Sequence, residues 1–229
     1  MSGTGLGKCD NFLMVLLPAG DFSAWIAALR VAIGGTADSE VPCGDCTACC
    51  TASQFVHVGP DETDTLAHIP KALLFPAPRR PDGYQLLGYD ERGHCPMLVN
   101  GLCSIYEHRP RTCRTYDCRV FAAAGIEPSD PDKSLIAERM RRWRFSYGDA
   151  TGPAQHDATR RAAAWLRAHS ADLAEDIAPR SATQLAVMAC ETGELFVGTD
   201  SSTRRSVVVE PSSAVITERI WATTRRPAE

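Results

Sequence analysis

Apolar positions along the chain fall into one strong helical pattern, a long irregular middle and a mixed carboxy-terminal part. Phe22, Trp25, Ile26, Leu29 and Ile33 recur at helical spacing, with Asp21 or Ser23 placed to cap the first turn. Gly34–Ser39 follows as a linker. Phe55–Val58 predicts a short strand, and Gly59–Glu62 a turn feeding a helix that ends near His68. A Pro-rich loop spans 70–81, and Tyr84–Tyr89 predicts another strand. Beyond residue 125 the pattern predicts helices over 132–147 and 154–175. Leu185–Cys190 fits either element type, Leu195–Val197 and Ser206–Val209 predict strands, and Thr223–Glu229 a frayed tail.

No apolar run approaches the roughly 18–20 residues of a membrane span. Phe12–Leu17 resembles the apolar part of a signal peptide, but only Lys8 precedes it and Pro18 breaks it early. The expectation is a buried strand or short helix there, no membrane, and a cytoplasmic protein. Met14 is an alternative start, which would leave 1–13 as an extension.

The chain has 229 residues, 44% of them apolar and 23% charged, with a formal net charge of -4. That length allows one large domain or a domain with an appendage. The acidic balance speaks against nucleic acid. The basic stretch Arg139–Phe145, with Trp143 and Phe145 interleaved, is the exception, and on a helix its charges spread around the surface.

The cysteines change the picture. Eight of the ten lie in two runs, Cys43-x2-Cys46-x2-Cys49-Cys50 and Cys95-x7-Cys103-x9-Cys113-x4-Cys118. In a reducing compartment such runs are metal ligands or redox groups, not disulfides. Vicinal Cys49 and Cys50 also make a strained bridge. Four thiolates complete a zinc site or ligate one cubane iron–sulfur cluster. Cys43, Cys46 and Cys49 follow the ferredoxin loop pattern, with Cys95, followed by Pro96, as the remote ligand. Adjacent side chains diverge, so Cys50 would serve a second centre with Cys103, Cys113 and Cys118, or a redox role. One site with four spare cysteines is the alternative. Arg109, Arg111, Arg114 and Arg119 crowd the second run and are placed to offset thiolate charge and donate to sulfur, or to lie solvated.

Cys9 and Cys190 are expected to be bystanders. His94 and His108 flank the second run and suit supporting or surface roles; His57 and His68 suit structural or solvated ones. Tyr106 and Tyr116 either shield the metal or pack the core. No nucleophile elbow and no assembled acid–base triad is visible.

The two cysteine runs, with Cys95-Pro96-x-Leu98, Gly101-x-Cys103-Ser104-Ile105-Tyr106, Arg109-Pro110, Cys113-Arg114 and Tyr116-x-Cys118, strongly resemble the YkgJ-type cysteine-cluster family. The match covers about residues 41–121. The resemblance implies a zinc- or iron-chelating domain, bacterial for the most part. In some relatives the module accompanies flagellin lysine methylation, where an iron–sulfur cluster is proposed. This chain shows no Gly-rich loop for S-adenosylmethionine and no Cys-x3-Cys-x2-Cys radical motif, so that activity is not carried over.

The fold expected is α+β: a small irregular cysteine-rich metal-binding domain over 41–124, preceded by a segment and helix over 1–40, and followed by a helical region with a β element over 125–229. Cys43, Cys46, Cys49, Cys50, Cys95, Cys103, Cys113 and Cys118 are the candidate metal ligands. The candidate cofactor is a 4Fe–4S cluster in a redox or protein-modification role, or else zinc in a structural or delivery role. An unidentified protein is the expected partner or substrate.

Overall fold

The computed structural model describes residues 15–224. The fold is α+β, with eight helices and nine short strands among those residues. Strand β1 (Leu17–Asp21) leads into helix α1 (Phe22–Ile33), which matches the predicted helix end to end. The Asp21 carboxylate accepts from the Ala24 amide at 3.0 Å, a cap worth about 0.5–2 kcal/mol. Val15 and Leu16 are exposed, so this part of the apolar run is not core. The rest of the run before it, and Cys9, lie outside the described residues.

A 3-10 turn over Ala48–Thr51 carries Cys49 and Cys50. Strand β2 (Val56–Val58) and helix α2 (Thr63–His68) follow as expected. The Pro-rich loop holds more order than anticipated: a 3-10 turn over Lys71–Leu73 and strand β3 (Leu74–Pro76) lie within it. Pro76 can occupy a strand because β3 is an edge, paired only with β4 (Gln85–Leu87), which also pairs β2. Strands β5 (Leu98–Val99) and β6 (Leu102–Cys103) form a minimal hairpin, followed by a 3-10 turn over Tyr106–His108.

Helices α3 (Arg111–Thr115) and α4 (Arg119–Ala124) then enter the helical half. Helix α4 stops at Gly125, whose φ of 64° makes the left-handed cap that a side chain would strain. Helix α5 (Ser134–Arg142) is shorter than predicted, because Trp143–Ser146 is strand β7, parallel to β1. Helix α6 (Gly152–His169) ends before the predicted 175. Helix α7 (Ala182–Thr192) resolves the ambiguous apolar segment. Residues 193–196 form a 3-10 turn before the antiparallel pair β8 (Val197–Thr199) and β9 (Ser206–Val208). Helix α8 (Ser213–Thr224) reaches into the stretch expected to fray.

Two apolar cores result. The larger unites α1, α4, α6, α7, the 193–196 turn and α8 through Phe22, Phe121, Leu166, Ala189, Phe196, Ile216 and Ile220, each fully buried. The smaller holds Val58, Ile69, Leu87, Met97 and Ile105, from the segment between and around the cysteine runs. A core of five side chains is a thin basis for an independent fold. No helix among the described residues is long and apolar enough to cross a membrane.

Candidate metal centre

The fold brings the two cysteine runs side by side. The Cys95 amide donates to the Cys50 carbonyl at 2.7 Å, joining the start of the second run to the end of the first. In the first run the Cys46 amide donates to the Cys43 carbonyl at 3.1 Å and the Cys50 amide to Thr47 at 2.9 Å, which curls the chain around its sulfurs. All nine cysteines among the described residues are free thiols. Cys190, in α7, is fully buried in the larger core as a small apolar group.

The sulfurs are distributed between the cores. Cys46 and Cys118 pack against the larger core, and Cys95 and Cys103 against the smaller. Burial, then the neighbouring Cys49 and Cys46, push the Cys43 thiol up. Burial pushes Cys118 up to about 12, with Cys43 and Cys49 adding to the effect. Cys95 is raised by burial first and also by Cys103, while Cys113 is pushed up to about 12 by burial, Cys95, Cys49 and Cys103. Cys49, which is exposed, is raised first by its hydrogen bond with the Cys50 side chain. Cys43 is thus coupled to Cys46 and Cys118, Cys95 to Cys103 and Cys113, and Cys49 to members of both sets. The β5–β6 hairpin and α3, packed on β2, seat the second run against the first.

These thiols fit a metal centre. Half-buried thiols that raise one another's pKa cannot all ionise alone; a cation among them removes both the burial and the repulsion penalty as protons leave. Four thiolates suit either one zinc ion or one cubane iron–sulfur cluster, and eight suit two such centres.

Surrounding groups brace the sulfurs. The Trp143 indole N–H donates to Cys118 Sγ at 3.3 Å. Arg139 lies over the Trp143 ring and donates to the carbonyls of Pro42 and Cys43, both at 3.1 Å. Both residues belong to the stretch considered for nucleic acid. Trp143 is buried and Arg141 pairs with Glu127, so that stretch is committed to the fold. Neither residue was singled out for the metal, since the link to the cysteines exists only in three dimensions.

The arginines of the second run mostly serve elsewhere. Arg111 pairs with Asp61 and Arg114 with Asp38, each at 2.7 Å, and Arg119 with Asp117 at 2.7 Å. Carboxylates take the place expected for thiolates. Arg109 stacks over Tyr106 at 3.6 Å and is the member of the four whose charge lowers the Cys113 thiol. Tyr106 is exposed and shields nothing, whereas Tyr116 packs on the larger core with Cys118 and Cys49 beside it.

Asp117 and Arg119 form the main brace. The Asp117 carboxylate accepts from Trp25 Nε1 at 2.9 Å and Ser39 Oγ at 3.0 Å, and Arg119 donates to the carbonyls of Ala19 and Glu40. This ties β1, α1 and the segment leading to Cys43 directly to Cys118. Of the histidines, His94 closes a turn with Asp90 through its backbone, and His57 Nδ1 is buried without a hydrogen-bond partner.

No curated protein and no solved structure matches the chain. Residues 42–132, which contain all eight clustered cysteines, match the CxxCxxCC family, described as "Putative zinc- or iron-chelating domain".

Proposed function

We propose that residues 41–124 are a metal-binding domain whose eight clustered cysteines carry iron–sulfur, and that the protein works as a redox component or in protein modification. The observation that carries this reading is that the fold sets the two cysteine runs side by side, the Cys95 amide donating to the Cys50 carbonyl at 2.7 Å, with all eight clustered cysteines free; in this proposal Cys43, Cys46 and Cys118 form one ligand trio and Cys95, Cys103 and Cys113 the other. Cys49 and Cys50 lie between and supply the fourth ligand to each. Two 4Fe–4S clusters are the matching stoichiometry. The Trp143–Cys118 hydrogen bond supports a redox role, because donors to cluster sulfur set potential. An unidentified protein is the partner, and the cytoplasm the compartment in which free thiols of this kind persist.

The test is iron, zinc and acid-labile sulfide per chain on protein purified without oxygen. Iron and sulfide in near-equal amounts, about eight of each for two cubanes, is the result expected. Zinc without sulfide overturns it.

One observation favours a second reading, a structural or chelating zinc module. The smaller core has five buried side chains, and a metal would supply the stability it lacks. Hydrogen exchange after chelation measures that contribution whichever metal is bound.

A further inference from the structure

Among the described residues, one group of side chains outside the thiols has the donor types and donor proximity of a metal site. Asp64 and His68 lie four residues apart on α2, and His108 closes the 3-10 turn beyond Cys103. His108 Nδ1 is 2.7 Å from Asp64 Oδ2, and His68 Nδ1 is 3.6 Å from Oδ1. His68 Nδ1 also lies 2.8 Å from the Asp64 backbone carbonyl. The imidazole rings stack with centroids 3.5 Å apart and planes within 6°. One donor atom from each of the three residues lies within 4.8 Å of the others.

The positions are held from behind. Ile69 follows His68 and Ile105 precedes the turn that His108 ends, and both are buried in the smaller core at 2% and 6% exposure. Thr65 Oγ1 donates to the Arg109 carbonyl at 3.5 Å, linking the same two segments. The side chains themselves are accessible: 69% for Asp64, 41% for His68 and 38% for His108. A surface ion pair of this kind contributes little by itself.

We propose that Asp64, His68 and His108 form a second metal site, with nitrogen and oxygen donors, for a divalent first-row ion of the zinc or iron(II) class. Two imidazoles and a carboxylate suit such ions and leave positions for water, whereas calcium and magnesium want oxygen alone. The site shares no ligand with the cysteines and stands whichever metal they hold. Being open and without thiolates, it exchanges its ion faster than a closed thiolate centre. It clamps α2, from the segment between the runs, onto the stretch between Cys103 and Cys113.

The experiment uses the full chain with its thiol centre loaded, titrated with Zn2+ by calorimetry, beside His68→Gln and His108→Gln variants. The expected result is one further equivalent of Zn2+, bound about 10-fold or more weakly in either variant, with the metal content of the thiols unchanged. A second readout needs no variant: Zn2+ should protect His68 and His108, and not His94, from diethyl pyrocarbonate, read by mass spectrometry. Absence of the extra equivalent, or an equivalent that survives both substitutions and leaves both histidines unprotected, overturns the site.

Discussion

The indole N–H of Trp143 points at Cys118 Sγ from 3.3 Å, across 25 residues of chain. Trp143 opens β7, whose pairing with β1 fixes the indole, and Arg139 above its ring reaches the carbonyl of Cys43. One small unit thus touches the last cysteine of the second run and the first of the first.

A donor to thiolate sulfur withdraws electron density and eases reduction of a cluster. Trp143→Phe removes the donor and keeps an aromatic ring in the core. In the iron–sulfur protein the midpoint potential should fall while iron content is unchanged, as measured by a redox titration followed by electron paramagnetic resonance. The accompanying loss of stability is small, about 1 kcal/mol for one hydrogen bond. An unmoved midpoint would detach Trp143 from the redox centre.

The sulfur grouping makes its own prediction. Cys46→Ser or Cys118→Ser should each release about half the bound metal, and the double variant no more than either alone. Cys95→Ser and Cys103→Ser should behave likewise toward the other half. If Cys95 instead completed the first run, the non-additive pair would be Cys46 and Cys95. Metal analysis of the four single and two double variants decides between the groupings.

Reading the chain reaches what is local. Helix α1 was legible because its spacing and its Asp21 cap are local, and the two cysteine runs for the same reason. How the runs meet was not, because the Cys95–Cys50 backbone hydrogen bond and the seat of α3 on β2 exist only in the fold. Trp143–Ser146 continued an amphipathic pattern and was read as helix, yet parallel pairing with β1 prevails over local preference. The arginines were expected either to offset thiolate charge or to lie solvated, and Asp38 and Asp61, far away in sequence, pair with two of them. His68 and His108 likewise met only through folding.

Asp117 and Arg119 should be the costliest polar residues to remove. Their side chains are 0% and 9% exposed, and each also anchors neighbours. Asp117→Ala leaves a buried guanidinium without its charge partner, and Trp25 and Ser39 without an acceptor. A loss of about 3–5 kcal/mol follows, seen as a lower denaturation midpoint. Because the pair ties Glu40 and Ala19 to the chain beside Cys118, metal retention should fall with it.

His156 supplies a pH dependence separable from the metal. It stacks on Phe22 at 4.4 Å, its Nδ1 meets the Tyr147 hydroxyl at 2.8 Å, and its Nε2 is buried without a partner. Burial, with Arg160 nearby, lowers its pKa from 6.5 to about 4. Between those values the unfolded chain binds a proton that the folded chain refuses. Its contribution is therefore complete above about pH 6.5 and is lost as pH falls toward 4, by up to about 3 kcal/mol. Other groups titrate in this window, and acid also displaces metal from thiols. The difference between wild type and His156→Gln isolates the histidine. The variant should be less stable at pH 7.5, since it forfeits the stack on Phe22, yet its stability should decline less steeply from pH 6.5 to 4. Parallel declines in urea titrations across that range would show that His156 takes up its proton equally in the folded and unfolded states.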